Sequence, residues 1–89
     1  MGEKAIETME LKDTVEMMNS EDYKERLKAE YAQLQIRRSK LYEMLYAMSE
    51  GTLKFKPLCS IELLSAQLTC METYAYILEM RAKAEGVEL

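Results

Sequence analysis

Apolar residues between Asn19 and Gly51 recur at the spacing of an α-helix. One set is spaced by seven residues and a second set fills the turns between its members: Leu27, Leu34, Leu41 and Met48, then Tyr31, Met44 and Leu45. This pattern predicts a helix over residues 20–50, with Asn19 and Ser20 as N-caps and Gly51 as the stop. At about 1.5 Å per residue the helix is about 45 Å long. A small monomeric domain cannot cover such a helix, so we expect partner helices.

A second helix is predicted over residues 60–85, with Ser60 as its N-cap and Gly86 after its end. Its apolar residues advance by alternating steps of three and four: Ile61, Leu64, Leu68, Met71, Ala75, Leu78 and Ala82. We expect this first seam to pack on the first helix in an antiparallel hairpin. A second apolar row lies beside it: Leu63, Cys70, Ile77 and Ala84. Because one partner helix cannot cover both rows, we expect the second row to pack on another subunit.

The remaining segments are a weakly periodic N-terminus and a connector. Residues 1–18 predict a short helix or a partly ordered arm that lies on the hairpin of residues 19–89. The connector, residues 51–59, contains Pro57 and is expected to be extended. In one interpretation Leu53 and Phe55 cap the end of the helical core. In a second, compatible one Lys54 and Lys56 contribute to an anion site.

The expected fold is therefore all-α. A short N-terminal helix or arm precedes a long antiparallel helical hairpin, and several chains assemble as an oligomeric helical bundle. Two-fold interfaces are the commonest kind, so we expect an even number of subunits. A dimer, a tetramer and a hexamer all fit the pattern, and the hairpin forms either within one chain or by exchange of helices.

Composition narrows the class of partner. The 89 residues carry a formal net charge of −4, which argues against a DNA- or RNA-polymer binder, although a local basic cluster can still hold a small anion. No apolar run is long enough to span a membrane, and the N-terminus lacks the features of a signal peptide. We expect a soluble cytoplasmic protein. In that compartment Cys59 and Cys70 are expected to be reduced thiols, and a disulfide between them is the alternative.

Catalysis is not expected. The chain has no histidine, and it offers no base beside a serine or cysteine nucleophile. Its three glycines form no phosphate-binding loop, and two cysteines without histidine cannot close a structural zinc site. The sequence therefore predicts no catalytic residue, no metal and no cofactor.

Polar residues that interrupt the apolar rows are candidates for binding. Tyr74 and Arg81 lie seven residues apart on the face of the second row, and Arg38 occupies a position that the heptad pattern would give to an apolar residue. Interfacial arginines commonly pair with carboxylates, here Glu30 or Glu72 for Arg37 and Arg38. Alternatively, arginine, lysine and tyrosine side chains from several subunits enclose a phosphorylated ligand, with tyrosine rings stacking on a base.

The same choice applies at the start of the first long helix. As structural residues, Tyr23 packs on the neighbouring helix end and Arg26 pairs with Asp22 or Glu30. As binding residues, Tyr23 offers a ring for stacking and Arg26 binds phosphate near the positive end of the helix dipole.

Three strings resemble a family of small phage and prophage proteins of gut bacteria that are related to a crAss-like phage protein. They are DYKERLKAEYAQLQIRRSKLYEML, GTLKFKPLC and LLSAQLTCMETYAYILEMRA. The resemblance covers residues 18–89.

The architecture also resembles phage sponge proteins that counter the CBASS and Thoeris defence systems. This resemblance implies an oligomer, often a hexamer, that sequesters a cyclic oligonucleotide or a cyclic ADP-ribose-type signal in the infected host bacterium without cleaving it. Because of their placement at helix ends and on the second apolar face, six residues are expected to bind such a signal at subunit interfaces: Tyr23, Arg26, Lys54, Lys56, Tyr74 and Arg81. The alternative is a helical protein–protein interaction module or inhibitor of a host protein, with no small-molecule ligand.

Overall fold

The computed structural model describes residues 5–89, so the first four residues of the predicted N-terminal arm lie outside it. Two 3₁₀-helical turns, Ile6–Thr8 and Leu11–Thr14, lead into a short helix α1, Val15–Met18. Two long helices follow, α2 at Tyr23–Glu50 and α3 at Ile61–Glu85, and they pack against each other as a hairpin. The all-α fold with a short N-terminal helix and two long packed helices is confirmed. Assembly into an oligomer stays a prediction.

The first long helix begins later than the sequence predicted. Asp22 caps α2, because its carboxylate accepts a hydrogen bond from the backbone N–H of Lys24 at 3.0 Å. Ser20, one of the two predicted caps, accepts instead from the backbone N–H of Asp22 at 3.1 Å. Asn19, the other, follows the last residue of α1. An aspartate cap adds a negative charge at the positive end of the helix dipole, which favours the later start.

Glycines end both long helices, as the sequence predicted. Gly51 and Gly86 have φ values of 71° and 70°, in the left-handed region that glycine occupies without a steric penalty. Beyond Gly86, the backbone N–H of Val87 donates to the carbonyl of Ala82 at 2.8 Å. The chain therefore turns back onto the hairpin, and the side chain of Val87 is buried there.

The main core lies between α2 and α3. It contains two leucines of α2, three residues of α3 and one residue beyond it: Leu27, Leu34, Ala75, Leu78, Ala82 and Val87. The first seam of α3 is thus largely the buried one, as expected. Its first member, Ile61, is the exception at 43% exposure, because it lies at the start of α3, far from this cluster.

The N-terminal segment covers a different side of α2. Thr14 is completely buried, and its hydroxyl donates to the carbonyl of Leu11 at 2.7 Å and accepts from the amide of Gln33 at 2.9 Å. Three further buried residues of α2 lie outside the main core cluster: Ala29, Ala32 and Ile36. The long helix is therefore packed between α3 and the N-terminal segment.

The connector does not close the core as one interpretation expected. Leu53 is half-buried, but Phe55 is 60% exposed. The expectation that Phe55 caps the helical core is wrong. The buried residues of α2 all lie between Leu27 and Ile36, so little core reaches the connector end for an aromatic ring to cover.

We predict that the threonine beneath α2 is a stability determinant. Thr14→Val removes the hydroxyl that pairs with the carbonyl of Leu11 and the amide of Gln33, and it leaves Gln33 with only the sulfur of Met18, so the free energy of unfolding should fall by about 1–3 kcal/mol. Urea denaturation followed by circular dichroism measures it. Thr8→Val is the matched control, because the Thr8 hydroxyl makes the same kind of bond, to the carbonyl of Ala5 at 3.0 Å, but on an exposed segment. Equal losses for the two variants would contradict the packing role of Thr14.

Candidate ligand-binding site

Two cavities adjoin each other on α2. One, of about 490 Å³, lies against the N-terminal segment and the chain end, and its apolar lining includes Ile6, Met9, Ile36 and Leu89. The other, of about 440 Å³, lies against α3 and is lined by Leu68, Glu72 and Tyr42 among others. Both are lined by the same three residues: Arg38, Ser39 and Glu43. We call the pair the Arg38 groove.

Arg38 is the cation at the centre of this groove. Its side chain is half-buried, and within residues 5–89 it makes no ion pair and no hydrogen bond. Within residues 5–89 of one chain Arg38 does not pair with Glu30 or Glu72, and a pairing between subunits stays a prediction. Glu30 accepts a hydrogen bond from the hydroxyl of Tyr74 instead. The guanidinium keeps its donors available for an anion.

Arg37, its neighbour, provides a contrast. It is also without an ion pair in the described part of the chain, but its side chain is exposed and it lines neither cavity. Arg38 is less exposed and lines both cavities, so an anion bound in the groove would contact Arg38 and not Arg37.

A chain of hydrogen bonds borders the larger cavity. The amide of Gln35 donates to the hydroxyl of Tyr31 at 2.8 Å, and this hydroxyl donates to Glu79 of α3 at 2.9 Å. Burial raises the pKa of Tyr31, and the hydrogen bond and negative charge of Glu79 raise it further. The bond from Gln35 and the charge of Arg38 act in the opposite direction, but they are the weaker causes. Tyr31 is therefore held as a neutral donor to Glu79.

Gln35 also carries an unsatisfied acceptor. Its side-chain oxygen is buried and has no hydrogen-bond partner among residues 5–89. The single proton of the Tyr31 hydroxyl already goes to Glu79, so that hydroxyl cannot also donate to Gln35. Because a buried unpaired acceptor costs free energy, a donor that reaches it from the groove would be favoured.

Three of the predicted site residues lie at or near the end of the hairpin where α2 begins. Tyr23 is 46% exposed in the first turn of α2. Arg26 reaches back, and its guanidinium donates to the carbonyl of Ser20 at 2.7 Å. It forms no ion pair with Asp22, which was one expected partner, within the described residues. Arg81 lies near the end of α3 and pairs with Glu85 at 3.3 Å.

Lys54 and Lys56 lie at the opposite end. Both are exposed on the connector that follows α2. Since α2 has 28 residues, its ends are about 42 Å apart at 1.5 Å per residue. A single chain therefore separates these lysines from Tyr23 and Arg26 by more than a small ligand can span.

Tyr74 lies between the two ends, halfway along α3. Its ring is 42% exposed, while its hydroxyl donates to Glu30 of α2. The bonds of Tyr74 to Glu30 and of Tyr31 to Glu79 connect the helices reciprocally, each helix giving one tyrosine and one glutamate. The ring of Tyr74 stays accessible for stacking even though its hydroxyl has a partner.

The sequence singled out Arg38 but not the residues around it. Arg38 stands out because a charged residue interrupts an apolar heptad. Tyr31 and Gln35 follow the helical period of α2 and look like ordinary core and surface residues. Their role depends on Glu79 of the other helix and on the N-terminal segment. The spacing of residues within α2 does not show where these partners lie.

The arrangement is suited to binding. In residues 5–89 no three potential metal ligands cluster, and none of the helices is both long and apolar enough to cross a membrane. The groove offers an unpaired guanidinium, an apolar wall and a buried acceptor, which are the parts of a site that holds a small polar molecule. Fold and groove together are those expected of a small helical binding protein.

Comparison with known families agrees with this class. The model of the Sequestin family matches residues 21–84, which include nearly all of both long helices. The chain belongs to the Sequestin family. Membership implies sequestration of a signal molecule, and hence binding in place of catalysis. No curated protein and no solved structure matched the chain.

We predict that Tyr31 makes stability depend on alkaline pH. A pKa raised in the folded state means that the neutral phenol stabilises the fold below the ordinary value of about 10, and that this contribution is lost as the pH rises through the folded-state value. The free energy of unfolding should fall above about pH 10, and less steeply in Tyr31→Phe. At pH 7 the variant should lose about 1 kcal/mol with its hydrogen bonds.

Urea denaturation at several pH values measures both effects. Tyr42→Phe is the control, since the ring of Tyr42 is 59% exposed. An unchanged alkaline slope in Tyr31→Phe would contradict the assignment.

Proposed function

We propose that this protein is a phage-encoded anti-defence sponge. It binds a nucleotide-derived immune signal, of the cyclic oligonucleotide or cyclic ADP-ribose type, and holds it without cleaving it. Family membership supports sequestration of a signal molecule. The observation that supports a particular site is Arg38, a half-buried residue that lines both cavities and whose guanidinium lacks a protein partner among residues 5–89.

Arg38 would bind a phosphate or pyrophosphate of the signal. A guanidinium presents several N–H donors in one plane, which match two phosphate oxygens at once. Each of the two cavities that meet at Arg38 falls within the range of about 300–1,000 Å³ of small-molecule sites. The buried oxygen of Gln35 would accept from a ribose hydroxyl or a base amine.

Aromatic stacking would hold the base. Tyr42 lines the cavity that faces α3, and its ring is 59% exposed, so one face is available to a purine. Stacking of a base on an aromatic side chain is worth about 1–3 kcal/mol. Glu43 and Glu72, which also line this cavity, would repel a phosphate placed away from Arg38. These carboxylates and the net charge of −4 disfavour a nucleic-acid polymer, which presents many phosphates.

The six residues predicted from the sequence belong to a second part of the proposal. Two groups of them, Tyr23 with Arg26 and Lys54 with Lys56, stand at opposite ends of one chain. They can serve one ligand only where subunits bring unlike ends together, as in a homo-oligomer with an even number of subunits. Tyr74 and Arg81 would lie on the surface where the subunits meet.

A second candidate function is a protein–protein interaction module that inhibits a host protein. It is favoured by the exposed apolar side of α3, where Leu63 is 60% exposed and Ile77 is 50% exposed. In that case a foreign helix occupies this side and the basic residues have no ligand.

Arg38→Ala tests the sponge. Loss of a charge-assisted contact worth about 1.5–3 kcal/mol should weaken binding by about ten- to a hundredfold. Isothermal titration calorimetry with cyclic dinucleotides, cyclic trinucleotides and cyclic ADP-ribose measures the affinity, and mass spectrometry after heat denaturation checks that the ligand is released intact. Arg37→Ala is the matched control, because it removes the same charge from the neighbouring, exposed position.

The wild-type protein and Arg37→Ala should bind one of these ligand classes about equally. Equal weakening by both variants would assign the effect to net charge and overturn the site. No binding of any class by the wild-type protein would overturn the sponge and favour the interaction module.

A further inference from the structure

One side of α3 carries an uncovered apolar stripe. Its members advance by alternating steps of three and four and are all exposed: Leu63, Ala66, Cys70, Thr73, Ile77 and Met80. We call this stripe, which contains most of the second apolar row, the outer seam. None of its members is charged, and Ala84 continues it by one more step. Such spacing is the signature of a coiled-coil surface.

The described residues, 5–89, do not cover the outer seam. The buried residues of α3 lie on the other side of the helix, facing α2: Leu64, Ala75, Leu78 and Ala82. Among the helices and turns of residues 5–89, α3 contacts α2 alone. A helix with two apolar seams on opposite sides needs a second partner.

We propose that this partner is the outer seam of a second copy of the chain, running antiparallel. One register pairs all six members: Leu63 lies opposite Met80, Ala66 opposite Ile77, and Cys70 opposite Thr73. In this register the small Ala66 packs against the branched Ile77. The larger residues, Leu63 and Met80, pack against each other at the two ends of the contact. Complementary sizes across layers are what close packing of helices requires.

Charge selects this register. Glu62 and Lys83 are both exposed, and they lie on the same flank of the outer seam because exactly three heptads separate them. In an antiparallel pair each flank faces the same flank of the partner, so Glu62 meets Lys83 of the second copy. The two-fold axis repeats this pair. A shift by one heptad separates these charges and leaves either Leu63 or Met80 without a partner.

A parallel arrangement lacks this complementarity. In a parallel pair the flank of Glu62 faces the other flank of the seam, where the matching residue is the neutral Gln67. The two helix dipoles would also run side by side in the same direction, whereas in the antiparallel pair they oppose each other favourably.

The antiparallel pair would also complete the interfacial site. In this register Arg81 of one copy lies opposite Ser60 of the other, the residue that caps α3 directly after the connector. Lys54 and Lys56 of one chain thus approach the end of the hairpin that carries Arg81 in the other chain. This consequence rests on the proposed function, but the pairing of the two helices does not.

Light scattering on the full chain tests the pairing. The wild-type mass should be an even multiple of 10.4 kDa, and Ile77→Glu, which places a charge inside the outer seam, should lower it to 10.4 kDa or half the original value. Ser65→Glu adds the same charge at an exposed position of α3 outside the seam and should leave the mass unchanged. A wild-type protein that is monomeric at micromolar concentration would overturn the proposal.

Cysteine crosslinking tests the orientation. In a Cys59→Ser/Cys70→Ala background, which keeps the seam apolar, Ala66→Cys and Ile77→Cys are prepared separately and then refolded together. The antiparallel register predicts disulfide-linked dimers in the mixture and almost none in either variant alone, because residue 66 meets residue 77. A parallel pair gives the reverse, with crosslinks in each variant alone, and would overturn the register.

The results of the mass and crosslinking experiments can be distinguished from those of the ligand titration. Mass and crosslinks report the pairing without any ligand, and the titration of Arg38→Ala reports the groove. An oligomer that binds no signal would overturn only the sponge, and a monomer that binds it would overturn only the pairing.

Discussion

The packing of α3 against the first half of α2 is the contact on which the rest of the structure depends. Leucines 27 and 34 meet a surface of α3 in which Ala75 and Ala82 keep the backbones close. Tyr31 and Glu79 cross the same contact with a hydrogen bond. This packing aligns the two helices, and the position of every other element follows from it. The N-terminal segment can then lie on the free side of α2, and the Arg38 groove forms along the edges that remain.

Periodicity predicted most of the fold because a hairpin of long helices depends on repeating local signals. The first seam of α3 and the glycines at both helix ends are such signals, and each functions as expected. The N-cap of α2 and the exposure of Phe55 were predicted wrongly. In the first case three neighbouring polar residues compete for one role, and the choice of Asp22 is a matter of local geometry. In the second, the extent of the core depends on how two helices align, which a single heptad pattern does not specify.

The groove was less predictable than the fold. Its polar residues come from turns of α2 that look ordinary in the sequence, and they acquire a role only through partners distant along the chain. Tyr31 and Glu79 are separated by 48 positions. The two arginines illustrate the same limit, because sequence spacing does not show which of two adjacent residues lines a cavity. Arg38 is half-buried and lines both cavities, whereas Arg37 is exposed and lines neither, and this difference makes Arg38 the candidate anion ligand.

The uneven burial along α2 has a consequence for motion. All of its buried residues lie between Leu27 and Ile36, while the turns from Arg37 to Glu50 contain none. Segments with few buried apolar contacts open at a smaller free-energy cost than the global unfolding of the domain. The free energy of local opening should therefore differ along the hairpin. It should be high in the first half of α2, where the buried residues lie, and lower near the connector. Arg38 lies two residues beyond Ile36, the last buried residue of α2, so a molecule bound there would contact a rigid surface on one side and a more flexible one on the other.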